Sequence, residues 1–330
     1  MPVELNLRRF FSPQAIVDTL GRLPALKTPI MDLLFSDSRN IPRPVIGVRD
    51  FGFVPINQPV VRRGSGSQPI TGGGGSIDYI EPQPVNPSRF ISGADLNNLK
   101  TANASTLQQE IDNIIDELRR ACRVTAEALA IQALTGSINY WMRAEGGALE
   151  PYEVDFGSIG NASAAVAKKF DADGAKISDV VKGIAGVLEV LKKRKVDGND
   201  VAIFSGFDVF AVLCDLAGAQ SNASIAQASA SGINIGGGFT IQLLGSSYTN
   251  LKTNALVPVV PAKNILVVDR QAGHKMIYAG LDSVPADGQA LPFYADYEET
   301  KDPSGVKVIG EAKPLPVVNV QGIVKAQVLS

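Results

Sequence analysis

The chain has 330 residues, of which 45% are hydrophobic and 19% are charged, a composition typical of a globular protein rather than a disordered or collagen-like one. Its 31 basic residues nearly balance its 33 acidic residues, for a formal charge of −2, which disfavours direct nucleic-acid binding and opposes self-association only weakly. No apolar run of about 18 residues predicts a membrane span. The N-terminal residues show no secretory signal, so a cytoplasmic product is expected.

Residues 1–44 are predicted to form an extended N-terminal arm. Ser12 and Pro13 suit the start of a short helix over 14–20 that ends at Gly21, and the prolines beyond it exclude a long helix. Four apolar side chains lie between those prolines: Ile30, Leu33, Leu34 and Phe35. Since so short a segment cannot build its own core, we expect these four to contact a neighbouring subunit.

Residues 45–91 are predicted to form a long β-hairpin loop. β-Branched and aromatic residues fill the outgoing limb, 45–61, and Tyr79 and Ile80 lie in the returning limb. Arg62, Arg63 and a run of glycines predict a tip that cannot pack by itself. A loop of this length is usually functional. We therefore expect these four named residues to contact a neighbouring subunit, the arginines through salt bridges.

The strongest helical pattern covers 105–136. Apolar residues recur on one face and charged residues fill the other, which indicates an amphipathic helix. Ser105 and Gln108 have the form of a capping box, and Gly136 marks the end. Such a helix would be roughly 45 Å long, far beyond the usual length of about 12 residues.

Residues 176–285 alternate helix and strand, which predicts an α/β module. Its predicted helices begin at Ile177 and at Phe207, and its predicted strands cover 201–204, 239–244, 264–269 and 276–279. The Ala-, Ser-, Asn- and Gly-rich stretch 217–238 predicts a mobile loop. Beyond the module, 294–299 and 306–309 predict a hairpin around a turn at 302–305, and extended segments follow.

No pattern predicts a catalytic, metal or cofactor site. The single histidine, His274, lies in a turn, where a solvated side chain is expected rather than a catalytic base. Cys122 and Cys214 show no CxxC spacing and are expected to be buried free thiols. Neither glycine-rich stretch, 72–75 or 232–238, has the form of a phosphate-binding loop.

The acidic residues Asp296, Glu298 and Glu299 cluster on one predicted strand. Three carboxylates on a strand could hold a divalent cation, but a solvated face is the simpler interpretation. We therefore expect no cofactor and no enzymatic activity.

Three local motifs and their order carry a resemblance to a known family. They are the apolar run 29–35; the tip 62–67 with Ile80-Glu81-Pro82 and Val85-Asn86-Pro87; and the helix 105–136 with 144–146 and Val154-Asp155-Phe156-Gly157. In this order they resemble the major capsid proteins of tailed phages, with the Hong Kong 97 type of fold. More closely, they are similar to the family of the E capsid protein of phage lambda, over nearly the whole chain.

The resemblance implies an α+β capsid fold in five parts. These are the N-terminal arm 1–44, the extended β-hairpin loop 45–91, a peripheral domain 92–175 with the spine helix 105–136, an α/β axial domain 176–285, and a return of the chain to the peripheral domain over 286–330. The axial loop 217–238 would face the centre of the capsomer.

The resemblance also implies a function and partners. The chain would be a structural subunit of a bacteriophage virion, self-assembling into hexamers and pentamers of an icosahedral head around double-stranded DNA, without sequence-specific binding. A separate scaffold protein, a portal and a decoration protein would be its partners, and assembly would take place in the host cytoplasm. Some relatives cross-link through a lysine of the extended loop. Residues 45–91 contain no lysine, so no such cross-link is expected.

Three alternatives remain open. A nanocompartment shell of the encapsulin type would share the architecture but enclose a cargo enzyme. An α/β nucleotide-dependent enzyme could be built on 176–285, although the absence of a phosphate loop counts against it. A tail tube subunit is the third, although such subunits are mostly β and the long helix counts against it.

Overall fold

The protein, in a computed structural model, is described over residues 11, 13–47, 79–101, 104–144, 146–194, 196–219, 227–229, 232–236, 238–249 and 253–330. The helices are α1 (Pro13–Arg22), α2 (Pro29–Leu34), α3 (Gly93–Thr101), α4 (Ala104–Ala133), α5 (Ile177–Lys193) and α6 (Phe207–Gly218). The strands are β1 (Asp37–Ile41), β2 (Ile46–Gly47), β3 (Tyr79–Ile80), β4 (Ser88–Ser92), β5 (Ser137–Arg143), β6 (Leu149–Asp155), β7 (Gly160–Asn161), β8 (Val201–Ser205), β9 (Gln227–Ser229), β10 (Gly232–Asn234), β11 (Thr240–Leu243), β12 (Ser247–Thr249), β13 (Leu256–Pro258), β14 (Asn264–Asp269), β15 (Lys275–Ala279), β16 (Tyr294–Lys301), β17 (Ser304–Glu311), β18 (Pro314–Val317) and β19 (Ile323–Gln327).

These elements form two compact units. The first contains Tyr79–Ala130, Met276–Pro316 and the described residues up to Gly47. The second contains the described residues of Ile131–Lys275 and Val317–Ser330. Both units mix helix and strand, which confirms the α+β class.

The first unit is built on α4, whose apolar face packs against the sheet β16-β17-β4. Its core includes Ile111, Ile115, Leu118, Cys122, Phe293, Ala295, Val306 and Val308. The helical spacing of the α4 residues places them on one side, as the sequence predicted. Gly310 lets β17 approach α4, because a Cβ at this position would lie 3.0 Å from the Leu118 Cβ.

Three details of the predicted helices are wrong. Helix α4 begins at Ala104, so Ser105 lies inside the helix and cannot act as its cap. It ends at Ala133, before Gly136, whose positive φ of 94° turns the chain. Helix α1 runs through Gly21 to Arg22, because one glycine near a helix end costs only about 1 kcal/mol.

The second unit is built on a seven-stranded sheet with the order β7-β19-β14-β8-β11-β10-β9. Strand β8 is parallel to β11, and β14 is antiparallel to both β8 and β19. Helices α5 and α6 share a single hydrophobic core with this sheet. The core includes Val180, Ile184, Val187, Val209, Leu213, Ile203, Ile241, Val267 and Val324.

Three expectations about this module are corrected. Strand β15 joins β1 and β18 in a separate three-stranded sheet. Strand β19 pairs with β14, so the segment 286–330 does not return as a whole to one domain. Within 217–238, β9 and β10 form an antiparallel pair, so the described part is not a plain loop.

Three antiparallel strand pairs complete the described sheets, and the first of them joins β12 to β13. Strand β2 pairs with β3 through Ile46↔Ile80 and Gly47↔Tyr79, which forms the base of the predicted loop. Residues 48–78 of that loop, including Arg62 and Arg63, lie outside the described residues. The last residues of the predicted loop belong to β4, which pairs with β17 in the three-stranded sheet of the first unit. Strands β5 and β6 form a two-stranded ribbon from Ser137↔Asp155 to Arg143↔Leu149. Among the helices of the described residues, none is long and apolar enough to cross a membrane.

Candidate assembly surfaces

The N-terminal arm lies along α4, held by side chains on successive turns of that helix. Thr19 Oγ1 donates to Asp112 Oδ1 at 3.2 Å, and Arg22 Nη2 forms an ion pair with Asp112 Oδ2 at 3.1 Å. Further along, Arg119 Nη2 donates to the Pro24 carbonyl at 2.7 Å. The arm therefore follows the helix in the same direction.

The second arm helix, α2, is capped by a carboxylate of α4. Glu127 accepts hydrogen bonds from the backbone nitrogens of Ile30, at 2.8 Å, and of Met31, at 2.9 Å. These N–H groups have no partner inside α2, and a negative charge at a helix N-terminus is favourable. Glu127 thus fixes both the position of α2 and the start of its helix.

An ionic contact lies at the entry to α2. Arg123 Nη2 donates to Thr28 Oγ1 at 2.6 Å and to Asp32 Oδ1 at 2.9 Å, while Asp32 Oδ2 accepts from the Thr28 backbone nitrogen at 2.9 Å. Partial burial of Asp32 opposes its charged form, but the bonds from Thr28 and the charge of Arg123 outweigh it and lower the pKa of Asp32. The arm is therefore held by a charged carboxylate.

The structure buries most of the predicted arm contacts within the chain. Ile30, Leu34 and Phe35 are buried and Leu33 is half-buried. The segment therefore finds its cover beside α4 of its own chain, which also holds it through Glu127. Their contact with a neighbouring subunit stays a prediction.

Tyr79 and Ile80, the two candidate loop residues that the structure describes, are less buried than most of the arm residues. Tyr79 is 69% exposed and Ile80 is half-buried, so Tyr79 remains available to another molecule. The contacts described for these two residues are with β2, through Ile46↔Ile80 and Gly47↔Tyr79.

Sequence reasoning missed the residues of α4 that hold the arm. Asp112, Arg119, Arg123 and Glu127 follow the helical repeat, so the signal was present as a stripe of charge. A stripe of charge alone does not show which segment of the chain lies on it.

His274 is not a solvated turn residue. It is 3% exposed, and its Nδ1 accepts a hydrogen bond from the Asn319 backbone nitrogen at 3.2 Å. Burial lowers the pKa of His274 to about 4, against a smaller opposing contribution from the Asp269 backbone. The imidazole is therefore neutral and acts as a buried structural group. The segment around Asn319 covers its turn.

A buried lysine of the first unit forms an ion pair with an exposed carboxylate. Lys313, 2% exposed, donates to both carboxylate oxygens of Asp282 at 2.9 Å. The Asp282 backbone nitrogen donates to Glu311 Oε1 at 2.9 Å. Burial raises the pKa of Glu311, and the nearby Asp282 charge adds to that rise.

The remaining candidate groups do not converge on a reactive centre. Asp296 is half-buried while Glu298 and Glu299 are exposed, and no group of His, Cys, Asp and Glu suited to a metal ion occurs among the residues with described positions. Burial raises the pKa of the Cys122 thiol to about 12, which makes it a poor nucleophile. Cys214 is half-buried rather than fully buried.

Comparison with solved structures identifies the fold. The crystal structure described as a capsid protein of a prophage of E. coli CFT073 matches with a TM-score of 0.60 and 15% identity, over 96% of this chain and 98% of that chain. The capsid of an empty GTA particle matches with a TM-score of 0.47 and 12% identity, over 94% and 92% of the two chains. The SrpI encapsulin of Synechococcus elongatus PCC 7942 gives 0.42 and 10%, over 96% and 95%. The fold is that of phage capsid proteins of the Hong Kong 97 type.

The sequence profile of the phage major capsid protein E family matches residues 12–328. The chain belongs to this family, and its function is that of a capsid shell protein. The family is structural rather than enzymatic. No curated protein matches the sequence.

Proposed function

We propose that this chain forms the hexamers and pentamers of an icosahedral phage head that encloses double-stranded DNA. The observation that carries the proposal is the family match over residues 12–328, combined with a fold that aligns with a prophage capsid protein over 96% of the chain. A shell built from copies of one chain needs contacts in which different surfaces of neighbouring copies meet, since such head-to-tail contacts close into rings.

Each of the two units is assigned to one domain of the capsid subunit. We assign the seven-stranded sheet with α5 and α6 to the axial domain, around the capsomer centre. We assign α4 and the sheet β16-β17-β4 to the peripheral domain. The loop between Gly47 and Tyr79 would extend over a neighbouring subunit, with Arg62 and Arg63 in salt bridges and Tyr79 as a contact near its base.

Enclosure of DNA without strong binding agrees with the charge of the chain. A formal charge of −2 gives a shell that neither attracts the duplex strongly nor repels it strongly. A portal, a scaffold protein and a decoration protein would complete the particle, which would assemble in the host cytoplasm.

The content of purified particles tests this proposal. Particles isolated from the natural host should contain double-stranded DNA that is protected from nuclease until the shell is opened with denaturant. Particles that enclose a cargo enzyme and no DNA would contradict the proposal in favour of a nanocompartment. Empty shells made from this chain alone serve as the control for adsorbed nucleic acid.

A further inference from the structure

The ribbon formed by β5 and β6 extends beyond the cover that its own chain provides. Ile138 and Val154, which face each other at the base, are 1% and 5% exposed. From Asn139 to the tip and back to Glu153, no residue with described burial is buried. A two-stranded ribbon is at best marginally stable by itself, so this part needs a surface to rest on.

One face of the ribbon carries the uncovered apolar groups. Trp141 pairs with Pro151 and Arg143 pairs with Leu149, so all four side chains lie on the same face. Trp141 is 37% exposed and Leu149 is 61% exposed, and Pro151 is also exposed. We call Trp141, Leu149 and Pro151 the Trp141 face. The buried residues Ile138 and Val154 lie on the opposite face, so the two faces of the ribbon differ in how far the chain covers them.

The outer edge of β5 is open on the same part of the ribbon. Because Pro151 has no N–H, the Trp141–Pro151 pair does not bond across the ribbon, and the backbone groups of Trp141 point outward. At Asn139 the equivalent groups are bonded to the Gln132 side chain, at 3.1 Å and 3.0 Å. Among the residues that the structure describes, no side chain forms such hydrogen bonds with the backbone of Trp141. An open edge beside an apolar face is a ready partner for another chain.

We propose that the Trp141 face and the open edge of β5 dock on a second copy of this chain in the assembled shell. The proposal rests on the proposed function, because a capsid shell surrounds each subunit with copies of itself. The charge of the ribbon indicates which kind of surface on the second copy it would contact. Glu150, Glu153 and Asp155 against Arg143 make the ribbon acidic, so it fits an apolar surface bordered by lysine or arginine.

Fluorescence gives a direct test, because Trp141 is the only tryptophan of the chain. Its emission and its quenching by acrylamide are measured in the free subunit and in purified particles that contain this chain as their only protein. We expect emission at shorter wavelength and a several-fold smaller quenching constant in the particle. Equal quenching in both states would overturn the proposal. Particle formation, read separately by sedimentation, reports on the proposed function.

A matched pair of variants makes the test independent of folding. Leu149→Lys places a charge on the Trp141 face, and Val284→Lys places one at a 91% exposed valine of the other unit. Both side chains are exposed, so both free subunits should keep the wild-type melting temperature. We expect Leu149→Lys to reduce the particle yield at least tenfold and Val284→Lys to leave it unchanged. Similar yields for the two variants would overturn the proposal.

Discussion

His274 makes the stability of this protein depend on pH. The folded chain holds its pKa at about 4, below the ordinary value of 6.5, because the imidazole is buried. Between those values the unfolded chain binds a proton that the folded chain does not, so protonation favours unfolding. The stability contributed by the neutral His274 is therefore fully present above pH 6.5 and is lost as the pH falls towards 4.

We expect the free energy of unfolding to fall by an amount on the order of 3 kcal/mol between pH 7 and pH 4 through this residue alone. Urea unfolding of the subunit at several pH values measures it. The control is His274→Asn, whose side-chain oxygen can accept the Asn319 hydrogen bond but does not titrate. A variant with the same pH dependence as the wild type would show that His274 is not the group responsible.

Gly136 is required by its backbone conformation. Its φ is +94°, and a Cβ there would lie 2.4 Å from the Gly157 carbonyl oxygen. We expect Gly136→Ala to lower the free energy of unfolding by about 1–3 kcal/mol. Gly218→Ala is the control, because Gly218 ends α6 with nothing within 4 Å of its Cβ position. Equal melting temperatures for the two variants would contradict this account.

At the scale of single residues, the sequence shows which chemical groups are present but not their burial or their distant contacts. The absence of a local motif around His274 was visible, but its burial was not, because the residues near Asn319 that cover its turn lie some 45 positions away. Likewise, Glu127 was visible as a charge, but its role depends on α2, which is 97 residues away at Ile30.

At the scale of elements, the arm and α4 act as one unit held by polar contacts. Glu127→Ala removes both acceptors of the α2 N-terminus. We expect faster amide hydrogen exchange at Ile30 and Met31 and a loss of about 0.5–2 kcal/mol in the free energy of unfolding. Mass spectrometry of peptides from the arm measures the exchange.

Glu117→Ala is the matched control for that variant. Glu117 lies on the same helix, but its carboxylate is 60% exposed and its contact with Arg89, at 3.6 Å, is a surface ion pair of small value. Unchanged exchange in the arm of Glu127→Ala, or equal acceleration in both variants, would show that the carboxylate does not hold α2.

The elements that the sequence predicts well are those with a strong local period. The 3.6-residue repeat of α4 and the alternation of β16 and β17 specify these elements locally. Strands β9 and β10 escaped prediction, because Ala, Ser and Gly carry little strand signal. The membership of β15 and β19 in their sheets also escaped it, since pairing between distant strands leaves no local pattern. The surfaces that meet in an assembly are the least predictable, because they depend on a second molecule.

At the scale of the whole molecule, the composition of the loop predicts how the shell is held together. Residues 45–91 contain no lysine, so that loop cannot supply an amine for an isopeptide bond to a neighbour. Mature particles boiled in detergent should give a single band near 34.8 kDa on denaturing electrophoresis. A ladder of multimers that survives reduction would contradict this prediction.

Electron microscopy of purified particles tests the central claim most directly. The chain, produced together with the proteins encoded beside it, should give closed icosahedral shells whose reconstruction shows rings of six and of five copies of this subunit. A product that remains a monomer under those conditions, or that stacks into open tubes, would contradict the account.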